Sequence, residues 1–407
     1  MKTLATLFLA CTLVPAAAAP LDAQTLDQAL ELYYQNRLHE SLPILQQLAE
    51  ADPRAVAPRA WLADNLRRTG DAQGALAVAR DVLRDEPCNA HAHDVVAAIM
   101  GQEFWKAENR DSAWAHVTAG VECDPEDGNL WLTYWMAAMM RQDAAGELRA
   151  QRRVGELRFI PEPVMELSRW MLRVAPQGSV LFAYGDWDYF PLKVAQTAEG
   201  LRPDVTVILL PMLEVPWYVR RMAAATGYPV PPELEGVGDH EAVTDDLGSG
   251  LLTGRVGTLW TAQRFAGRNS FPLLASSTSA PEWLEGIAWP RWDGPVYHLR
   301  PLSRQPPGED VIDATGFCNM LPHLQMARLQ GPITHPGDRS PIRRTGVHPA
   351  EHVMLQLYAY GVERAKEGRL DDARQALAQM QALSAAGHVR DEYAALERLL
   401  LSFIEDS

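Results

Sequence analysis

Positive charge is in short supply in this chain: 37 lysines and arginines face 52 acids, for a formal net charge of −15. A surplus of that sign repels phosphate backbones and anionic lipid, and no basic run or stacking-aromatic motif offsets it. Nucleic acid is therefore excluded as a partner. Long apolar runs are missing as well. After residue 20, charges and prolines break every hydrophobic stretch before the roughly 18 residues that a membrane span requires, so no span is expected. Nucleotide and hydrolase signatures of the types G-x-G-x-x-G, G-x-x-x-x-G-K-S/T and G-x-S-x-G do not occur.

Cysteine is scarce too, at four residues. Residues 1–19 read as a secretory signal peptide: Lys2 supplies the positive start, Leu4–Val14 the apolar region and Ala16–Ala19 the small-residue cleavage site before Pro20. Cys11 falls inside it, in a setting faintly like a lipoprotein processing site. The mature chain is expected to be exported, periplasmic or secreted, with Cys88, Cys123 and Cys318. Three thiols permit one intramolecular pair at most, and their spacings do not resemble a zinc site, so neither a metal nor a cofactor is expected.

What is abundant is helical periodicity. From Leu26 to Leu157 apolar residues recur at helical spacing, and Asp52-Pro53, Glu86-Pro87 and Asp124-Pro125 stand 34 and 38 residues apart. In the second unit, Leu62, Ala63, Leu66, Gly70, Ala75, Ala79 and Pro87 hold the positions of a 34-residue helical hairpin. Small Ala75 and Ala79 permit close helix approach, Gly70 opens the turn and Pro87 ends the second helix. This pattern resembles the tetratricopeptide repeat. The third unit carries extra residues near Gln102–Asn109, and Trp131–Glu156 reads as a fourth hairpin whose TYWMAAMM run is apolar all round and hence buried. Tyr360, Gly361, Gly368, Ala373 and Leu377 resume the pattern after the middle of the chain.

Cys88 begins the first helix of the third hairpin and Cys123 ends its second. Antiparallel helices bring those points to one end, at a Cα separation of about 6 Å that a disulfide accepts. Two unpaired core cysteines are the alternative.

Between the repeats, Gly178–Leu192 (GSVLFAYGDWDYFPL) reads as a buried strand, Val180–Tyr184, turning into a helix. Asp204–Leu210 is a second apolar strand, followed by a helix at Trp217–Ala225. Strand–helix–strand–helix spacing predicts an open, mostly parallel α/β sheet, with further strands at Phe271–Ser276 and Val296–Leu302 and a polar excursion over Gly227–Gly257. The fold class expected is α and α/β: tetratricopeptide helical hairpins at 24–157 and 349–405 flank an α/β domain at 160–345.

Several ordered motifs in this middle segment resemble the soluble segment of bacterial protein O-mannosyltransferase-like membrane proteins. They are Gly185-Asp186-Trp187-Asp188-Tyr189-Phe190-Pro191-Leu192, then Gly200-Leu201-Arg202-Pro203-Asp204-Val205, then Pro216-Trp217-Tyr218, with echoes at Phe271–Ala275 and Val296–Arg300. The family's membrane half, which would hold any glycosyltransferase site, has no counterpart here. The resemblance implies a fold and an exported location, and it transfers no activity.

Two surfaces are candidates for function. Asp186 and Asp188 fall at a strand's carboxyl end, where open α/β sheets collect ligands, with Tyr184, Trp187 and Tyr189 as an aromatic rim. If they converge with Arg202 or His298, a ligand or cation site follows; alternatively Asp186 caps the next helix. The other surface is the repeat groove, which the register lines with Tyr33, Tyr34, Asp64, Arg67, Arg68, His91 and Asp94. His348-Pro349-Ala350-Glu351-His352 matches H-x-x-E-H, but Pro349 belongs at a helix start and leaves His348 outside it. His240-Glu241 reads as surface, and Cys318 with His323 lacks an orienting partner. No catalytic residue is assigned. The leading expectation is a non-enzymatic scaffold binding a protein or peptide in the groove. The competing one is a glycan-related enzyme or carbohydrate-binding accessory using the Asp186/Asp188 corner.

Overall fold

Four helices begin on a side chain that replaces their missing first-turn partners. Asp71, Asn89, Asp127 and Asp143 accept from backbone N–H groups two or three residues on. At Asp71 and Asp143 the recipient is a glycine at 2.8 and 3.0 Å. A Cβ on Gly74 or Gly146 would lie 2.3 or 2.5 Å from the capping carboxylate, so the cap demands glycine there. Gly70, at φ +98°, makes the turn into the first of these helices, the one that Asp71 caps.

The computed structural model describes residues 25–34, 37–103, 106–160, 162–183, 186–240, 251–265, 273–276, 288–293, 296–301, 357–358, 361–362, 364–366, 368–385 and 391–406. Among them, α1 (Leu26–Tyr34) to α8 (Ala144–Glu156) form four consecutive hairpins. Their intervening members are α2 (Leu38–Ala51), α3 (Val56–Arg68), α4 (Ala72–Asp85), α5 (Ala90–Gln102), α6 (Ala107–Cys123) and α7 (Gly128–Met140). Ala75 and Ala79 are wholly buried between α3 and α4, as close packing requires. The third hairpin is closed by a Cys88–Cys123 disulfide with Cα atoms 5.4 Å apart. That bond sets the start of α5 against the end of α6, so the two helices run antiparallel.

After α9 (Glu162–Val174) comes β1 (Val180–Ala183), buried along its whole length, then α10 (Asp186–Ala198) and β2 (Thr206–Leu209). A short 3-10 turn leads into α11 (Pro216–Thr226), and α12 (Leu251–Phe265) precedes β3 (Leu273–Ser276), β4 (Ala288–Asp293) and β5 (Val296–Pro301). The strand order is β2-β1-β3-β5-β4. β1 lies parallel to β2 and β3, whereas β5 is antiparallel to β3 and β4. The sheet is thus mixed rather than mostly parallel, and the stretch Ala288–Asp293, between the two expected later strands, is itself the edge strand β4. Helices α13 (Leu370–Ala385) and α14 (Asp391–Asp406) form a further pair near the C-terminus.

The apolar run of α7 joins the two halves. Trp131, Tyr134, Trp135 and Met139 are buried in one continuous core with β1, β2, α10 and α11. Residues 1–24 and the H-x-x-E-H, Cys318 and His323 positions lie outside the described residues.

Candidate functional site

The first helices of the hairpins stand side by side, and their facing residues form one seam. Tyr33, fully buried on α1, donates its hydroxyl proton to Asp64 Oδ2 on α3. Asp64 is itself fully buried and takes Arg67 Nε at 2.8 Å and Nη2 at 2.5 Å on its other oxygen. His91 Nε2 on α5 stands 3.9 Å from Asp64 Oδ2. Trp61 lies at the middle of the aromatic part, with ring centres 5.1 Å from Tyr33, 5.8 Å from Tyr34 and 4.3 Å from His91. The Arg68 guanidinium sits 4.8 Å over the Tyr33 ring, within cation–π range. Six of the seven expected groove residues do therefore converge.

Asp94 belongs to the next junction. It accepts from Asn129 Nδ2 at 2.7 Å and Thr133 Oγ1 at 2.5 Å, which ties α5 to α7. Tyr33, Asp64 and Asp94 are buried and fasten one hairpin to the next, so they do not face an open groove. The half-buried Tyr34, Trp61, Arg67, Arg68 and His91 form the rim above them. Sequence reasoning missed Trp61, Asn129 and Thr133. The i, i+3 spacing from Trp61 to Asp64 was the available signal for the first.

At the second candidate, Asp186, Trp187 and Asp188 occupy the first turn of α10; their side chains and the whole of Tyr184 lie outside the described residues. Residues two positions apart in an α-helix stand about 200° apart around its axis, so positions 186 and 188 fall on opposite sides of α10 rather than on one face. Tyr189 is no rim residue. It is 4% exposed, its hydroxyl points at Met139 Sδ at 3.8 Å, and its ring lies 5.9 Å from Trp135. Burial raises its phenol pKa well above the usual value.

Arg202 stands at the other end of the sheet, ahead of β2, and so cannot join the acidic corner beyond β1. Its guanidinium closes the end of α9 by donating to the carbonyls of Leu172 (2.8 Å), Ala175 (2.7 Å) and Pro176 (3.1 Å). It also pairs with Asp204, whose carboxylate accepts Gly178 N–H. The Arg202 hydrogen bonds and the Gly178 amide hold the Asp204 carboxyl far below the usual carboxylate range. Tyr218 Oη likewise accepts the backbone N–H of Leu209 at 2.9 Å. Most of the ordered motif residues described in the middle segment thus build the fold.

Where α8 meets α10 and α11, the Glu147 carboxylate (4% exposed) takes Arg221 Nη1 at 2.7 Å. Lys193 Nζ donates to Gln196 Oε1 at 3.0 Å, and burial lowers the pKa of its ammonium. His240 is half-buried, with its pKa lowered first by burial and then by Arg110. Among the described residues no three His, Cys, Asp or Glu side chains gather as a closed metal cage, and no helix is long and apolar enough to cross a membrane.

A family model for the TMEM260-associated domain 2 matches residues 164–237, the segment from α9 through α11 to the turn beyond it. No curated protein matches the chain. Among solved structures, the MamA RS-1 ArsTM double mutant is similar at 18% identity and a TM-score of 0.27, over 32% of this chain and 71% of that one.

Proposed function

We propose that the protein is an exported scaffold of tetratricopeptide-type hairpins that binds a protein or peptide along the seam of its first helices. The observation that carries this reading is the half-buried rim of Tyr34, Trp61, Arg67, Arg68 and His91 above a polar floor in which Tyr33, Asp64 and Asp94 are hydrogen-bonded from hairpin to hairpin. Such a floor fixes the rim side chains before a partner arrives and lowers the ordering cost of binding. Exposed aromatic and arginine side chains on a rigid support are the usual anchors of protein interfaces. The 34-residue spacing, the left-handed Gly70 and the buried Ala75 and Ala79 support the repeat type. The Cys88–Cys123 bond supports export, because disulfides persist in oxidising compartments.

The test substitutes the rim and spares the floor. Tyr34→Ala with His91→Ala is expected to abolish capture of the envelope partner that wild type retains under cross-linking, with the melting temperature lowered by only a few degrees. Capture undiminished by the double variant rejects the seam.

One observation favours a second reading, a glycan-type ligand on the α/β unit. The order β2-β1-β3 makes the carboxyl end of β1 the point where the chain turns to opposite sides, which is where such sheets place ligands. Asp186 and Asp188 follow that point. A panel of cell-wall sugars that raises the melting temperature of wild type, but not of Asp186→Asn/Asp188→Asn, supports it; no shift in wild type removes it.

A further inference from the structure

Three imidazoles gather at the start of α5, and one of them is a rim residue of the seam. His93 on α5 and His116 on α6 hydrogen-bond directly, Nδ1 to Nδ1, at 2.9 Å. His93 Nε2 lies 3.0 Å from the carbonyl oxygen of Pro87. A carbonyl only accepts, so His93 donates from Nε2 and accepts at Nδ1, and His116 is the donor between the rings. One added proton, on His116 Nε2, leaves that bond standing. A second sets two N–H groups against each other and breaks it.

The surroundings do little to welcome that second charge. His91 and His93 are the second and fourth residues of α5, where positive charge opposes the helix dipole. Burial lowers the affinity of His116 for a proton, and the charges of His93 and of Arg80 on α4 add to it. On α6 the residues one turn from His116, namely Ser112, Ala113, Ala119 and Gly120, carry no charge, and α7 offers Leu130. Exposed Glu86 accepts from Asn89 Nδ2 at 3.4 Å ahead of the turn. On the seam side, His91 Nε2 stands 3.9 Å from Asp64 Oδ2, but Arg67 already neutralises that carboxylate with two hydrogen bonds. The turn lies between two fixed points: the Cys88–Cys123 bond before it, and Asp94, held by Asn129 and Thr133, after it. Movement is thereby confined to Asn89–His93.

We propose that this turn is an acid-operated release for the seam, an inference that rests on the partner-binding reading above. Protonation of both His93 and His116 breaks their bond, and half-buried His116 turns outward. The first turn of α5 then loses its tie to α6, and His91, whose ring lies 4.3 Å from that of Trp61, leaves the rim with it. In the open turn the histidines regain their ordinary proton affinity, so the open form binds more protons than the closed one. The grip is therefore present at neutral pH and is lost as pH falls below about 6.5.

Hydrogen exchange of the full chain at pH 7 and pH 5, corrected for intrinsic rates, tests the device without a partner. The amides of Ala92 and His93 bond the side chain and carbonyl of Asn89 at 2.9 and 3.1 Å. Between the two pH values they are expected to lose about tenfold in protection in wild type, and less than about twofold in His116→Gln, whose carboxamide still donates to His93 but takes no proton. Protection in the last turn of α5 is expected to hold in both proteins, which separates a local opening from loss of the fold. Unchanged protection at Ala92 and His93 in wild type, or an equal loss in His116→Gln, overturns the proposal. Cross-linked capture of the envelope partner at the same two pH values tests the link to the seam: it is expected to fall about tenfold at pH 5 in wild type and to persist in His116→Gln. Release that persists in His116→Gln overturns the link. Absence of capture by wild type at pH 7 instead rejects the seam reading, and the exchange result then decides the device by itself.

Discussion

Arg202 shows what one residue contributes where the chain is forced out of its preferred conformations. It sits at φ +47°, a left-handed backbone that non-glycine residues adopt at a cost, and the guanidinium's bonds to three carbonyls and Asp204 offset that cost. Arg202→Ala is expected to lower stability by about 2 kcal/mol, because it leaves helix-terminal carbonyls without donors. Arg202→Lys should restore less than half of that, since a point charge cannot replace the planar fork; recovery to wild type in urea unfolding would refute the capping role. Three other residues make the fold acid-sensitive. Burial lowers the His116 pKa first, with His93 and Arg80 adding to it. The unfolded chain then binds more protons than the folded one below about pH 6.5, so stability falls as pH drops from there towards the lower folded value. Half-buried His240 acts in the same direction. Asp204 acts lower still: its contribution is present above the ordinary carboxylate pKa and is lost as pH falls below about 4. A stability profile between pH 7 and pH 5 should be flatter in His116→Gln than in wild type, and an equally steep one would show that His116 is not the sensor.

Elements obey the same logic at longer range. The disulfide closes a 35-residue separation across the third hairpin, so Cys88→Ser with Cys123→Ser should cost about 4 kcal/mol in the chain-entropy account. Gly120→Ala tests the approach of α6 against helix propensity. Alanine is intrinsically better in a helix by about 1 kcal/mol, yet its Cβ must displace Leu130 and His93, and a net loss of about 1–2 kcal/mol is expected. A stabilised Gly120→Ala protein would mean that these neighbours yield freely. The hairpins were legible in the sequence because a 3.6-residue apolar period, Gly70 and the Asp-Pro steps all speak through local physics. β4 was not legible. Its Pro290 argues against a strand, and the structure resolves this by placing β4 at the sheet's edge, where a missing N–H costs least. The candidate site was legible in direction and not in depth. Periodicity put Tyr33, Asp64 and Asp94 on the right side of their helices, but only the neighbouring hairpin decides whether that side is open. At the acidic corner Tyr189 was misread as a rim residue for the same reason, because only the packing of Trp135 and Met139 from α7 decides that its ring is buried.

At the scale of the whole molecule, the cores are unequal. Hairpin one packs around Ala29, Ile44, Leu45 and Leu62, and hairpin two joins α5 through a second small cluster dominated by alanine and valine. From Ala97 onward a single core runs through α7, β1, β2, α10 and α11 to Leu377 and Leu400 near the C-terminus. Polar ties reinforce that junction: Glu147 binds Arg221, and Thr197 Oγ1 donates to Gln151 Oε1 at 2.5 Å. Repeat arrays whose units touch only their neighbours open from the end with the weakest interface, whereas a continuous core opens as one body. Hydrogen exchange should therefore find the amides of α1 and α2 opening first, those of α3 and α4 next, and those of α7, α8, β1 and β2 last and together. Glu147→Gln strands Arg221 at the junction and should lower the opening energy of α8 and β1 equally, by about 1–3 kcal/mol. That is less than for a fully buried pair, because Arg221 is 43% exposed. The opening energy of α1 should not move. Loss of protection confined to α8 in that variant, or a first hairpin that outlasts β1 in wild type, would mean that the repeats and the sheet do not share a core in any energetic sense.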